Sequence, residues 1–121
     1  MEDVYTELKK LLKGEVSRDR TLRDEMSRDA SIYEITPEVV IAPKDSMDVK
    51  KIVRYVSAHK TTYPSLAITP RSAGTCMSGG AIGSSLLLDM TKHFTKIGAV
   101  TNDVLQTQPG VYMRDIDPYL E

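Results

Sequence analysis

The sequence predicts an α/β fold, a small mixed sheet with a βαβ core and helices packed against it. Two observations carry this prediction. Short apolar runs rich in β-branched residues alternate with amphipathic helical patterns, at the spacing of a parallel crossover. A glycine-rich stretch over residues 70–83 directly follows one of these runs, at the carboxyl end of a strand, which is where open α/β sheets bind their ligands.

The composition is that of one globular domain. The 121 residues are 40% hydrophobic and 27% charged, so a hydrophobic core can form without disulfides or metals. The formal net charge of -1 argues against a dedicated nucleic-acid-binding protein, which needs basic residues to neutralise phosphates. The N-terminus is acidic and no apolar run is long enough to span a membrane, so neither a signal peptide nor a membrane partner is expected. Cys76 is the only cysteine, which favours a reducing, cytoplasmic location.

Residues 1–28 are predicted to form an N-terminal helix followed by a charged connector. One helical stripe carries the apolar residues Val4, Leu8, Leu11 and Leu12. Gly14 ends this pattern. Residues 15–30 are mostly charged, which is typical of an exposed and partly helical segment. The domain itself is predicted to span residues 29–121.

A buried strand followed by an amphipathic helix is predicted over residues 39–59. The β-branched run at residues 39–42 has a proline on each side, which is typical of a buried strand. Asp45 is placed to cap a helix over residues 46–59, and Asp48 is favourable at its N-terminus. The apolar residues with helical spacing are Val49, Ile52, Val53 and Val56.

Three further strands and a short helix complete the predicted order of elements. A strand at residues 66–68 closes the βαβ unit, which implies a parallel strand pair with a right-handed crossover. Another strand is predicted at residues 85–90, and a further one around residues 104–108, before a Pro-Gly turn. Residues 111–121 have a weak helical pattern.

The stretch over residues 70–83 contains four of the seven glycines and is the main candidate site. Glycine permits positive φ and close approach, so several N–H groups can turn toward one anion. The hydroxyls of Thr75 and Ser78 would add donors, and Arg71 would either add positive charge or pair with a nearby carboxylate. On glycine content alone, a purely structural turn is an equally good interpretation.

Competing kinds of site lack their sequence signatures. The P-loop pattern Gly-x-x-x-x-Gly-Lys-Ser/Thr and the dinucleotide pattern Gly-x-Gly-x-x-Gly are both absent, and the loop leads into a strand rather than a helix. Cys76 has no neighbouring base motif to activate it, which disfavours a catalytic thiol. Together with His59 and His93 it has no metal-ligand spacing, so no metal site is predicted.

The local sequence resembles the FAD-linked oxidases of the vanillyl-alcohol oxidase and p-cresol methylhydroxylase (PCMH) type. Glycolate oxidase and D-lactate dehydrogenase relatives are the most similar in this region. Residues 70–80 follow the family's loop pattern, Pro-Arg-small-small-Gly-Thr-x-x-Ser-Gly-Gly. Further likeness lies in the segments before and after the loop, at residues 29–33, 37–43, 87–92 and 109–112.

The resemblance implies the first subdomain of a PCMH-type FAD-binding fold, whose glycine-rich loop wraps the FAD pyrophosphate with backbone amides. The residues assigned to the cofactor on this basis are Pro70, Arg71, Ser72, Ala73, Gly74, Thr75, Cys76, Met77, Ser78, Gly79 and Gly80. Some relatives attach FAD through a histidine in this loop, but none lies between Arg71 and Gly83, so non-covalent FAD is expected. Ser72 stands where glycine is common, which is tolerated if its φ is negative.

The function implied by the resemblance is the pyrophosphate-holding part of a flavin-dependent oxidoreductase that oxidises a small organic substrate, such as a 2-hydroxy acid. The family's second subdomain and substrate domain do not fit into 121 residues, so the chain is expected to be an incomplete, inactive fragment. Those parts are its expected partners, together with FAD and, through an exposed apolar face, a second copy. The alternatives are a non-catalytic phosphate- or nucleotide-binding module and a remnant that does not bind FAD alone.

Overall fold

The computed structural model describes residues 1–120 and contains a four-stranded mixed sheet and a two-stranded hairpin. The sheet has the strand order β1-β2-β4-β3, where the strands are β1 (Glu15–Ser17), β2 (Val39–Ala42), β3 (Ile68–Arg71) and β4 (Leu86–Asp89). The hairpin consists of β5 (Ile97–Thr101) and β6 (Val104–Thr107). The helices are α1 (Glu2–Leu11), α2 (Arg20–Glu25), α3 (Ser46–His59) and α4 (Met113–Ile116), followed by a 3-10 helix at Asp117–Tyr119. The predicted α/β class with a mixed sheet is confirmed.

The strands β2, β4 and β3 run parallel to one another, and the edge strand β1 pairs antiparallel with β2. The predicted βαβ unit is present as β2-α3-β3, but its two strands are not neighbours, because β4 lies between them and pairs with both. The register sets Ile41 beside Leu88 and Arg71 beside Asp89. The carboxyl ends of all three parallel strands therefore lie at one edge of the sheet.

The main hydrophobic core is formed between the sheet and the helices α1 and α3. Its buried members are Val4, Leu8, Leu12, Val16, Val39, Ile41, Ile52, Tyr55, Leu66, Leu86 and Leu88. Each fully buried Leu, Ile or Val side chain contributes about 1.5–3 kcal/mol relative to exposure. The stripe predicted for α1 is confirmed except for Leu11, which is 39% exposed.

The helix α3 has the predicted bounds and the predicted cap, but its buried face is rotated. The carboxylate of Asp45 accepts a hydrogen bond from the Asp48 amide at 3.0 Å, as expected of an N-cap. The buried residues are Asp48, Ile52 and Tyr55, at positions i, i+4 and i+7 of one face. Val53, predicted to belong to the apolar face, is 52% exposed. Of the predicted apolar residues, Ile52 is buried and Val56 packs against the core, so Val53 is the one that the structure places on the exposed side.

Residues 15–30 are partly helical, as predicted, because they include α2, but they are not an exposed connector throughout. The strand β1 pairs with β2 with Val16 beside Ile41, and Val16 is buried in the core. Asp19 then caps α2 by accepting from the Leu22 amide at 3.0 Å. The strand escaped prediction because three residues around one apolar side chain give no periodic signal. The strand β1 thus belongs to the sheet although it precedes residue 28, the predicted end of the N-terminal region. The predicted boundary between residues 28 and 29 stays a prediction.

The strand β3 begins later than predicted and runs into the glycine-rich stretch. Leu66 is fully buried, but it precedes the strand in a turn, where its amide donates to the Tyr63 carbonyl at 2.9 Å. The strand contains Pro70, which lacks an N–H group. That residue is tolerated because β3 lies at the edge of the sheet.

The hairpin contains one predicted strand, β6, and one that was missed, β5. Asn102 and Asp103 connect the strands with φ values of 52° and 60°, and Asn and Asp are the non-glycine residues that best tolerate this conformation. Most hairpin residues are exposed, including Val100 at 48% and Val104 at 65%. The weak helical pattern predicted near the end of the chain corresponds to α4 and the 3-10 helix, with residue 121 outside the described residues. Within residues 1–120, no helix combines the length and apolar character needed to cross a membrane.

Candidate cofactor-binding site

The glycine-rich loop leaves the carboxyl end of β3 and returns into β4. Pro70 and Arg71 are the last residues of β3, and the other predicted site residues, 72–80, lie in the loop itself. The base of the loop is held to the sheet because the Met90 amide donates to the Arg71 carbonyl at 2.9 Å. The loop therefore starts from a rigid position at the edge of the sheet where parallel strands end.

Two loop glycines adopt left-handed backbone conformations that a side chain would strain. Gly74 has a φ of 70° and Gly79 a φ of 82°. Ser72 has no positive φ, so the serine in place of the family's glycine is accommodated as predicted. Gly83 is required for packing instead, because an added Cβ would lie 2.2 Å from Thr69 Oγ1.

The backbone amides of this loop are the feature that suits an anion. Among residues 1–120, no acceptor of the protein receives a hydrogen bond from the amides of Ser72 to Gly79. The next two amides do have partners: Gly80 donates to Cys76 Sγ at 3.2 Å and Ala81 to Asp29 Oδ2 at 3.4 Å. The residues from 72 to 80 are all exposed or half-buried. Accessible amides without an internal acceptor are the donor set that phosphate-binding loops use.

Cys76 stabilises a turn within the loop. Its Sγ accepts from the Gly80 amide and lies 3.5 Å from Ser78 Oγ. Hydrogen bonding, chiefly from the Ser78 side chain, lowers the pKa of the Cys76 thiol. Both histidines of the chain are engaged elsewhere, His59 in ring stacking on α3 and His93 in a hydrogen bond to a glutamate. The contacts of the thiol are therefore those of a loop-forming residue.

The Arg71 side chain is directed at backbone carbonyls on the inner side of the loop. Its Nη1 donates to the Arg28 carbonyl at 2.7 Å, while the carbonyls of Met26 and Ala81 lie at 3.5 Å, the outer limit of a hydrogen bond. The guanidinium lies against Gly74, where an added Cβ would be 2.4 Å from Nη2. Of the two roles predicted for Arg71, the structure shows neither a carboxylate ion pair nor a free charge, but a contact with the main chain.

A second segment, residues 28–34, frames the loop and was not among the predicted site residues. The Ala30 amide donates to the Gly74 carbonyl at 3.1 Å. Asp29 accepts from the Ala81 amide, so the segment bonds to the loop near both of its ends. The sequence carried a signal for this, since residues 29–33 were part of the family resemblance, although their contact with the loop was not evident.

An apolar surface adjoins the loop on the side of this segment. The Tyr33 ring is 3.2 Å from the position of a Cβ on Gly79, so tyrosine and loop are in contact. Tyr33 is 56% exposed, Ile32 94% and Met77 83%. The loop thus combines polar backbone donors with neighbouring apolar side chains, as expected for a site that takes a ligand with both phosphate and ring portions.

Two cavities of the molecule lie away from the loop. One of about 320 Å³ is on the hairpin, lined by residues 96–98 and 106–108. Another of about 250 Å³ is lined by Met1, Glu38, Ser65, Ser84 and Ser85. Neither cavity is lined by residues 72–79, whose amides have no internal acceptor. This fits the chemistry of an extended diphosphate, which needs accessible amides rather than an enclosed cavity. Among the described residues, no three His, Cys, Asp or Glu side chains are grouped to hold a metal ion.

The sequence match to a known family identifies the class of ligand that this domain binds. Residues 37–121 match the profile of a family described as FAD binding domain, which covers well over half of the chain. The chain belongs to this FAD-binding domain family. The predicted resemblance to FAD-linked oxidases is confirmed, and the glycine-rich loop lies within the matched part.

Curated relatives of this FAD-binding domain are D-2-hydroxyglutarate dehydrogenases. The enzyme from Escherichia coli (strain K12) is 30% identical over 110 residues, which are 89% of this chain and 11% of the relative. The enzyme from Haemophilus influenzae (strain ATCC 51907 / DSM 11121 / KW20 / Rd) is 26% identical over 110 residues, 89% of this chain and 10% of the relative. The chain therefore spans about a tenth of the length of these relatives.

Solved structures confirm the fold at low sequence identity. An alkyldihydroxyacetonephosphate synthase superimposes with a TM-score of 0.78 and 16% identity, over 99% of this chain and 24% of that chain. CrmK, a flavoenzyme involved in shunt product recycling in caerulomycin biosynthesis, superimposes with a TM-score of 0.64 and 17% identity, over 88% of this chain and 21% of that chain. The FAD-binding domain described here therefore has the fold that its sequence resemblance predicted.

Proposed function

We propose that this chain holds the FAD pyrophosphate in a flavin-dependent oxidoreductase that acts on a small 2-hydroxy acid. The observation that carries the proposal is the set of accessible amides from Ser72 to Gly79, which have no acceptor within residues 1–120. Family membership supports FAD as the ligand, and the D-2-hydroxyglutarate dehydrogenases among the relatives support a 2-hydroxy acid as the substrate.

The work of these residues is to bind and orient. Backbone amides neutralise a diphosphate without a flexible cation, and glycines at 74 and 79 let the backbone approach closely. The exposed hydroxyl of Thr75 is available as a further donor, whereas that of Ser78 lies within hydrogen-bond distance of Cys76 Sγ. FAD, when bound, supplies the hydride-accepting chemistry, and the catalytic residues are unknown.

The flavin is proposed to be held without a covalent bond. The loop contains no histidine, and the nucleophilic side chain it does contain, Cys76, is hydrogen-bonded within the loop. Acid precipitation of protein loaded with FAD tests this directly. All of the flavin is expected in the supernatant, and yellow colour that stays with the denatured protein would contradict the proposal.

A thermal-shift titration with FAD, ADP and riboflavin tests the pyrophosphate site. A ligand at about a hundred times its dissociation constant adds about 2.7 kcal/mol of stability, which shifts the melting temperature of a domain of this size by several degrees. FAD and ADP are expected to stabilise the protein, whereas riboflavin, which has no phosphate, is not. If no ligand shifts the melt, the chain is a remnant with the fold alone. A shift by riboflavin alone would place binding elsewhere.

The partner proposals rest on exposed apolar side chains in the hairpin and in the last helical segment. These side chains are Val100, Val104, Met113, Tyr119 and Leu120. They support packing against further protein, either the remaining parts of an FAD enzyme or a second copy of the chain. Sedimentation that shows a clean monomer at high concentration would count against self-association. A cytoplasmic location likewise stays a proposal, supported by the single free cysteine.

A further inference from the structure

The loop over residues 72–80 is tied to the preceding segment by the hydrogen bond from the Ala30 amide to the Gly74 carbonyl, and the Arg71 guanidinium packs against Gly74 on the inner side of the loop. We propose that Arg71 is a positioning residue, which holds the loop in its binding shape against residues 26–30 without itself contacting the cofactor. This inference rests on the proposed function, in which the loop binds the FAD pyrophosphate.

One guanidinium connects three parts of the chain. The Arg71 backbone is fixed at the end of β3 by the bond from Met90. From there Nη1 reaches the Arg28 carbonyl at 2.7 Å and lies 3.5 Å from the carbonyls of Met26 and Ala81. Ala81 follows the last predicted site residue, so the start and the end of the loop are joined to the same preceding segment. A planar group with several donors can do this, whereas a lysine ammonium is a compact point charge.

Gly74 is held from two sides as a consequence. The guanidinium occupies the space where a side chain at this position would lie, and the Ala30 amide donates to the Gly74 carbonyl at 3.1 Å. In a planar trans peptide the carbonyl and the following N–H point in opposite directions. The Thr75 amide must therefore point away from Ala30, and the same contact that holds the loop also sets the direction of one of its free donors.

The carboxylate of Asp29 lies near the Arg71 guanidinium without forming an ion pair with it. Asp29 bonds to the Ala81 amide, next to the guanidinium. Hydrogen bonds from Ser31, first of all, and the nearby Arg71 charge lower the pKa of Asp29, so its carboxyl is ionised at neutral pH. The two charges have opposite signs and partly offset each other near the loop. Attraction for a diphosphate then comes from the amides, and replacing Arg71 should alter the shape of the loop more than its potential.

The first arm of the test measures loop order without ligand. NMR order parameters of about 0.85 indicate a rigid backbone and values below about 0.6 a flexible one. We expect rigid values for residues 72–80 in the unmodified protein and flexible values in Arg71→Lys, with β4 unchanged. Arg20→Lys is the matched control, since that side chain is 94% exposed. A loop that stays rigid in Arg71→Lys, or is already flexible in the unmodified protein, would overturn the proposal.

A second variant keeps the test valid if Arg71→Lys does not fold. Gly74→Ala retains the arginine but adds a Cβ that would lie 2.4 Å from Nη2, so the guanidinium has to move. The same loss of order over residues 72–80 is expected, to which strain at the positive φ of Gly74 also contributes, so the decisive outcome for this variant is a rigid loop. A rigid loop in Gly74→Ala would show that the contact with Arg71 does not hold it.

The second arm measures ADP affinity and its dependence on salt. If Arg71 positions the loop, the variants Arg71→Lys and Arg71→Ala should lose ADP affinity equally, by about tenfold or more. The salt dependence of ADP binding should be the same in both variants as in the unmodified protein. A direct phosphate ligand would behave differently, since lysine also binds phosphate and Arg71→Lys would then retain most of the affinity. If the unmodified protein binds neither ADP nor FAD, the proposed function fails, and the order parameters still decide the role of Arg71.

Discussion

The molecule contains two groups of backbone amides with the same donor chemistry and opposite surroundings. At one of them, the carboxylate of Asp48 accepts from the amides of Lys13, Gly14 and Lys44 at 3.1, 2.8 and 2.9 Å. At the other, the amides of residues 72–79 have no acceptor within the described part of the chain. Where the protein supplies its own anion, the amides become a structural junction. Where it supplies none, they are available to an external anion.

Burial separates the two groups as clearly as the acceptor does. Asp48 is fully buried and joins the end of α1, the start of β1, the end of β2 and the N-terminus of α3. Burial raises the pKa of Asp48, but the three backbone hydrogen bonds outweigh it and the net pKa is lowered. The close approach also needs glycine at position 14, because an added Cβ would lie 2.1 Å from the Ala42 carbonyl oxygen.

The largest expected effect comes from removing the internal anion. Asp48→Asn leaves at least one buried amide without an acceptor and should lower the free energy of unfolding by about 2–4 kcal/mol in urea denaturation near neutral pH. Asp45→Asn is the matched control on the same helix and should change it by less than about 0.5 kcal/mol, since Asn and Asp cap equally well. Equal small effects of the two substitutions would show that Asp48 is not the junction described here.

The same junction predicts a pH dependence of known sign. Because the folded-state pKa of Asp48 is lowered, its contribution to stability is fully present above the unfolded value of about 3.9 and is lost as the pH falls through the folded value. The stability difference between the unmodified protein and Asp48→Asn should therefore narrow as urea denaturation is carried to acid pH. A difference that is constant down to about pH 2 would exclude this linkage.

Substitutions that strain the loop backbone should lower ADP affinity more than substitutions that remove a loop side chain. Gly79→Ala forces a Cβ into a left-handed conformation, with a stability cost of about 1–2 kcal/mol, and brings it against Tyr33. We expect its ADP affinity to fall about tenfold or more in calorimetric titration. Ser78→Ala, the neighbouring control, removes one hydroxyl and should cost about three- to tenfold at most. The reverse order would mean that side chains, not amides, bind the phosphates.

The smallest expected effect concerns an ion pair at the surface. Glu15 contacts His93 at 2.7 Å and Lys92 at 3.1 Å. Burial raises its pKa, but the hydrogen bond from His93 and further contacts prevail and lower it to about 2. The Glu15 side chain is 49% exposed, so solvent screening limits the stability loss in Glu15→Gln to less than about 1 kcal/mol. The loss should be seen above about pH 4.3, diminish as the pH falls toward 2, and shrink in high salt. A larger, salt-independent loss would contradict this interpretation.

The features predicted correctly from the sequence are those whose signal lies within a few neighbouring residues. The helix α3 has the predicted bounds because both its cap at Asp45 and its apolar period are local. The strand β2 was recognised from four apolar residues between prolines. The loop and its family were recognised because glycine is the residue that backbone conformations such as those at 74 and 79 require.

The features that depend on contacts between distant residues could not be predicted in this way and became evident from the folded chain. The insertion of β4 between β2 and β3, and the pairing of β1 with β2, join segments whose local patterns do not specify a neighbour. The Asp48 carboxylate bonds to amides 34 and 35 residues earlier, and the Arg71 guanidinium to a carbonyl 43 residues earlier. A charged side chain in the sequence is equally compatible with solvent, with a ligand and with a buried partner. The folded backbone selects among these, because it alone sets which donors and acceptors lie within about 3 Å of the charge.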